Sequence, residues 1–109
     1  MTRNQIISLT KDLLLSVPEQ YQVSRAYVYG SWARGDADAF SDLDILLLVQ
    51  RPVTQELKNT IRDKGWELSL IHDCVVSVAT ASEAEFEDGP LSVSGFARNV
   101  RKDGFEVAA

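Results

Sequence analysis

Residues that make redox and soft-metal chemistry are scarce in this chain: 109 residues contain one cysteine, Cys74, and one histidine, His72. A single cysteine closes no internal disulfide, and with one histidine it cannot supply a zinc cluster. Cys74 lies in an apolar run, where an inert buried thiol is expected. Long hydrophobic stretches are missing as well. No run approaches the roughly 18 apolar residues that cross a bilayer. The opening Met1–Gln5 lacks the apolar stretch and small-residue cleavage site of a signal peptide, so a soluble, cytoplasmic chain with no membrane partner is expected. Basic residues are in the minority, 11 against 16 acidic, for a net charge of −5. That balance argues against autonomous nucleic-acid binding through a basic face. It also means that a bound polyphosphate needs metal ions to offset the repulsion.

What is present is globular: 45% hydrophobic and 25% charged residues can build a core and do not suit disorder or low-complexity repeats. The length fits a single domain over residues 1–109, too short for a catalytic domain plus a substrate domain.

Apolar residues Ile6, Ile7, Leu9, Leu13, Leu14 and Val17 recur at helical spacing, with Thr2 or Asn4 as cap and Pro18 as stop. Val23–Tyr29 reads as a strand running into Gly30, and 30–41 as a short helical turn followed by a loop. The nearly continuous apolar run Leu43–Val49 predicts a central strand covered on both faces. Pro52 and Thr54 open a long helix to about His72, with Leu57, Ile61, Leu68 and Trp66 as candidate core residues and Gly65 a weak point. A third strand is predicted over Cys74–Thr80, then a short acidic helix over Glu83–Asp88 capped by Ser82 and read as a solvated face. A last segment runs from Pro90 to Gly104, with Phe96 and Val100 four apart and Arg98, Arg101 and Lys102 near its negative end. This order predicts an α/β (α+β) sandwich on a small, mixed sheet of at least three strands, with flanking helices. The short connection from Tyr29 to Leu43 favours antiparallel pairing.

Chemistry concentrates in 30–44, Gly-Ser-Trp-Ala-Arg-Gly-Asp-Ala-Asp-Ala-Phe-Ser-Asp-Leu-Asp. Asp42 and Asp44 are two apart at the mouth of an extended strand, so they leave one face about 6.5–7 Å apart along the chain. Two carboxylates placed there can share hard cations such as Mg²⁺. Beside so apolar a strand, leaving them without a metal or basic partner costs several kcal/mol. Gly30 permits close approach of the backbone, and the N–H groups and Ser31 hydroxyl of the following turn suit a terminal phosphate. Either fragment alone also reads as a helix cap or as solvated aspartates. Their joint appearance, Gly-Ser at the end of one strand and Asp-x-Asp opening the next after ten residues, favours the functional reading.

This stretch resembles the signature of the DNA polymerase β-like nucleotidyltransferase superfamily, specifically its minimal nucleotidyltransferase (MNT) branch with Gly-Ser-x-Ala-Arg-Gly and Ser-Asp-x-Asp. Gly30, Ser31, Ala33, Arg34, Gly35, Ser41, Asp42 and Asp44 match. The resemblance implies a nucleotidyltransferase fold and Mg²⁺-dependent transfer of a nucleoside monophosphate, AMP from ATP or its equivalent from another NTP, to an acceptor hydroxyl with release of pyrophosphate. It implies that Asp42 and Asp44 hold two Mg²⁺ ions and that Gly30 and Ser31 bind the β- and γ-phosphates. Arg34 is either a triphosphate contact or a structural partner of Asp36 or Asp42.

The family usually adds a third carboxylate from a neighbouring strand. Asp73 is the candidate catalytic and metal residue, expected at the start of the third strand in phase with Val75 and Ser77. An alternative alignment puts that position at Val75 and leaves the carboxylate missing. His72 is either a carboxylate-orienting residue or a surface cap, Trp32 either a base-stacking or a packing residue, and Tyr27 and Tyr29 are strand packing. Minimal members of this type are commonly antitoxins paired with a HEPN-domain ribonuclease toxin, which implies AMPylation of a partner protein, with the acceptor surface supplied from outside the chain. Two further readings are a non-catalytic partner-binding module with a degraded site, and a small-molecule, aminoglycoside-type transferase with a pocket formed by homo-oligomerisation.

Overall fold

The computed structural model describes residues 1–108. Helix α1, Arg3–Ser16, starts at a capping box in which the Thr2 hydroxyl accepts the Gln5 N–H and the Gln5 side chain accepts the Thr2 N–H. Strand β1, Val23–Tyr29, leads into the single-turn helix α2, Ser31–Arg34, and then β2, Leu43–Val49. Thr54 caps α3, Gln55–His72, which is followed by β3, Val76–Ser82. Ser82 caps the short α4, Glu83–Glu87, Ser94 caps α5, Gly95–Asp103, and the chain returns as β4, Phe105–Ala108.

The four strands lie in the order β3-β2-β1-β4. β1 pairs antiparallel with β2 and β4, whereas β2 and β3 run parallel, so the sheet is mixed as the short 30–42 connection predicts. Alternation along β2 divides the core. Leu43, Ile45, Leu47 and Val49 pack with Ile6, Leu9, Leu13, Leu57 and Ile61 of α1 and α3. Leu46 and Leu48 pack with Phe86, Ala97 and Val100 of α4 and α5. Each such buried side chain contributes about 1.5–3 kcal/mol of transfer free energy, which makes β2 the most strongly anchored element and a rigid base for what lies at its start.

Two expectations change, and the sheet, expected to hold at least three strands, holds four. The third strand begins at Val76, because Asp73 extends the α3 cap in a left-handed conformation, φ 50°, before the chain can straighten. Trp66 is 67% exposed: Leu57, Ile61 and Gly65 set the inward phase of α3, and one residue further turns the indole about 100° away from it. A fourth strand follows Gly104, where a Cβ would lie 2.5 Å from the Val100 oxygen and 2.8 Å from that of Val28, so glycine lets α5 and β1 converge.

Candidate functional site

The site forms where β1 ends and β2 begins. Gly30 has φ 73° and ψ −158°, a backbone conformation that belongs to glycine, and it turns the chain from β1 into α2. Its carbonyl accepts the N–H groups of Ala33 and Arg34 at 3.1 and 3.0 Å, and Gly35 closes the turn with φ 85°. Ser31 stands at the first position of α2.

The return loop is held by side chains. Trp32 packs against the core and donates Nε1–H to the Ser41 carbonyl at 3.1 Å. Asp38 Oδ1 accepts from Phe40 N–H at 2.8 Å and from the Ser41 hydroxyl at 3.2 Å. The Ser41 hydroxyl in turn accepts from Asp38 N–H at 2.9 Å. Asp42 therefore enters β2 from a fixed direction, and the Leu43 N–H makes the first parallel bond, 2.8 Å to the Val75 carbonyl.

Asp44 sits opposite Tyr29 on β1 and Ser77 on β3, so these three side chains share one face of the sheet. A Cβ at Gly30 would collide with Asp44 Oδ2. The glycine is thus required twice, by its dihedral angles and by the carboxylate that fills the space beside it.

Burial holds the half-buried Asp44 carboxyl above the usual carboxylate range, the charge of Asp42 adds to this, and the Arg34 guanidinium opposes it. Burial, with a lesser contribution from Asp44, pushes the Tyr29 phenol up to about 12, so it stays protonated at neutral pH. The Tyr29 ring meets Phe96 edge to face at 5.3 Å, and Tyr27 lies 5.6 Å from Phe86, so both tyrosines pack as expected. Two carboxylates at one strand end, one penalised for its charge by burial and by its neighbour, form a hard-oxygen donor set that fits Mg²⁺. A bound divalent ion would relieve that penalty.

Of the expected contributors, Gly30, Ser31, Asp42 and Asp44 come together. Arg34 lies on the rim, where Nε meets Asp36 Oδ2 at 3.2 Å. His72 is the exposed last residue of α3. Asp73 is the exposed α3 cap. Among the described residues no group of three or more His, Cys, Asp or Glu side chains is placed to hold a metal ion. The register that pairs Leu43 with Val76 and Asp44 with Ser77 sets Val75 beside Asp42, and Val75 is 58% exposed. Cys74 is half-buried, its thiol held above its usual range by burial. Phe40, 94% exposed next to Ser41 and Asp42, was not singled out by sequence reasoning. An aromatic residue in a polar loop was the available signal.

A family profile described as "Nucleotidyltransferase domain" matches residues 10–104. A Methanocaldococcus jannaschii protein, provisionally named a protein adenylyltransferase, is 33% identical over 75 residues, which cover 67% of this chain and 76% of that one. Among solved structures, a chain of a toxin–antitoxin complex crystallised with AMP-PNP is similar over 97% of this chain and 72% of its own, with TM-score 0.61 and 19% identity. A complex of tri-AMPylated Shewanella oneidensis HEPN toxin with MNT antitoxin contributes a chain similar over 92% of this one and 70% of its own, with TM-score 0.52 and 14% identity. At these identities the two solved structures show a shared fold.

Proposed function

Because this chain belongs to the nucleotidyltransferase domain family, we propose that it moves AMP from ATP onto a hydroxyl of a partner protein, acting in the cytoplasm as the antitoxin of a HEPN-type toxin. The observation that carries the reading is the joint placement of the Gly30–Ser31 turn and the Asp42/Asp44 pair, with Asp44 packed against Gly30. The names of the M. jannaschii relative and of the Shewanella complex support the protein acceptor.

In the reaction the acceptor oxygen forms a bond to the α-phosphorus, the bond from that phosphorus to the leaving β-phosphate oxygen breaks, pyrophosphate departs and the hydroxyl proton passes to solvent. Residues 1–109 act as one domain. Gly30 and Ser31 hold the β- and γ-phosphates, with Arg34 at the rim as a further triphosphate contact, and Asp42 and Asp44 hold Mg²⁺. When bound, Mg²⁺ supplies positive charge that offsets the triphosphate and the chain's own net −5. The protein's own work is positioning on a rigid strand end, and tying the loop through Trp32 and Asp38 keeps the carboxylates where they are needed.

The test is label transfer from α-labelled ATP to the protein encoded beside it, comparing wild type with Asp42→Asn/Asp44→Asn. Mg²⁺-dependent labelling that disappears in the double variant supports the proposal. Stable complex formation without transfer from any triphosphate would overturn it in favour of a partner-binding module. One observation favours that second reading: the residue next to Asp42 where the chain leads into β3 is Val75, bonded through its carbonyl to the Leu43 N–H, and not a carboxylate.

A further inference from the structure

The sheet has two edges of unlike character. β4 is four residues long, and its Phe105 ring is covered by the Arg3 guanidinium at 3.8 Å while Glu106 binds Arg25, so that edge is short and charged. β3 is seven residues long and has α3 beside it.

The bond from Leu43 N–H to the Val75 carbonyl sets the phase of the parallel ladder: odd-numbered residues of β3 direct their backbone groups to β2, and even-numbered ones direct theirs outward. Both ends of the outward row are occupied. The Val76 N–H donates to Ser69 Oγ of α3 at 2.8 Å, and the Ser82 N–H donates to Glu85 Oε1 of α4 at 3.3 Å. Between them, the N–H and C=O groups of Val78 and Thr80 face a groove of about 470 Å³ lined by Lys58, Ile61, Arg62 and Gly65 of α3 and by Val76–Thr80.

The exposed ridge of α3 beside that groove is graded: Lys58 and Arg62 line the groove, and Trp66 and Leu70 continue the ridge past the lining residues. Lys58, Arg62, Trp66 and Leu70 follow one another at four-residue spacing and form one ridge along α3. All four are exposed, Trp66 and Leu70 at 67% each. Gly65 packs against Val78, and Ser69 against Val76. The apolar half of the ridge therefore accompanies the start of β3, and the cationic half accompanies Thr80.

We propose that this groove docks an extended segment of a partner protein as an added strand. Backbone pairing at Val78 and Thr80 supplies the attachment. Acidic side chains of the segment lie against Lys58 and Arg62, and large apolar ones against Trp66 and Leu70. The acidic character follows from charge complementarity: Lys58 and Arg62 are exposed cations grouped on a chain of net −5. The proposal concerns attachment alone and stands whether or not the Asp42/Asp44 site transfers nucleotide.

The experiment uses a ten-residue probe of alternating threonine and valine, glutamates replacing residues in one half and leucines in the other, titrated to millimolar concentration against the whole chain. Backbone amide shifts are followed by NMR, and Trp66 by fluorescence. Saturable shifts centred on Val78 and Thr80, with at least tenfold weaker binding when the glutamates become lysines, are expected. The protein variant Lys58→Glu/Arg62→Glu should reverse the preference between the two peptides. Thr80→Pro removes one outward donor at an edge position that tolerates proline and should weaken both. No shifts at millimolar peptide, equal binding of the acidic and basic probes, or self-association through this edge in sedimentation would overturn the proposal.

Discussion

The space that a side chain at Gly30 would fill is taken by the carboxylate of Asp44, whose Cγ lies 3.3 Å from the ideal Cβ position. The Gly30–Ser31 turn and the start of β2 that carries Asp44 are therefore one packed unit, and neither half of the motif can change without moving the other.

Gly30→Ala is expected to lower AMP transfer on the order of 10²-fold or more, since a displaced Asp44 cannot keep its geometry. The substitution should also cost about 1–3 kcal/mol in urea unfolding, because φ 73° with ψ −158° is open to glycine and strained for alanine. Gly35→Ala is the matched control: φ is 85°, but nothing lies within 4 Å of its Cβ. It should lose stability through backbone strain and keep transfer within a few-fold. Equal loss of transfer in both variants would show that strain, rather than contact with Asp44, sets activity.

Asp44→Asn is expected to lower Mg²⁺-dependent transfer on the order of 10²-fold or more and to raise the melting temperature at pH 7. Burial, and then Asp42, hold the Asp44 carboxyl above its ordinary range in the folded protein. The folded state therefore keeps a proton that the unfolded chain releases. This contribution is greatest in acid and declines as pH rises through the unfolded and then the folded pKa. Asparagine suffers no such decline, so its advantage should be present at pH 7 and absent near pH 3. Thermal scans at the two pH values check this, and a lower melting temperature at pH 7 would contradict it.

Much of this site was legible before the fold. The spacing of Gly30, Ser31, Asp42 and Asp44 is local, and a strand–turn–strand unit preserves local spacing. The limits of β1 and β2 follow equally well from Val23–Tyr29 and Leu43–Val49, because periodicity and flanking turn residues agree there. Legibility fails where a long-range partner decides. β4 exists because Arg25–Val28 offers it a pairing edge and Gly104 lets the backbones converge. The acidic helix that read as a solvated face turns Glu83 and Glu87 toward Arg25, more than fifty residues earlier in the chain. Asp73 read as a strand residue because propensity alone does not reveal a left-handed helix cap.

Asp73→Asn tests what that cap does. Asparagine accepts the left-handed conformation as readily as aspartate, so the variant removes charge while keeping the α3–β3 turn. With Asp73 outside any three-carboxylate group, transfer is expected to fall less than about fivefold, against a loss on the order of 10²-fold for Asp44→Asn. A loss in Asp73→Asn as deep as that of Asp44→Asn would make Asp73 the third metal ligand after all, drawn in when nucleotide binds.

Arg25 is the largest concentration of charge pairing away from the site, and its removal should expose the cost of what it gathers. Its guanidinium meets Glu83 at 3.0 Å, Glu87 at 2.6 Å and Glu106 at 2.6 Å, joining β1 to α4 and β4. The Arg25 guanidinium, with help from the Ser24 hydroxyl, holds the Glu83 carboxyl below its usual range. Such a group contributes stability above its unfolded pKa, which is lost as pH falls through the folded pKa. Arg25→Met keeps the aliphatic stem and leaves three carboxylates converging without a cation. It is expected to lose about 2 kcal/mol at pH 7. Acidification should weaken the wild type more than the variant, so that their urea midpoints converge below the carboxylate range. Parallel midpoints from pH 7 to pH 3 would mean that Arg25 acts through packing on Tyr27, whose ring centre lies 5.3 Å from its guanidinium carbon, and not through charge.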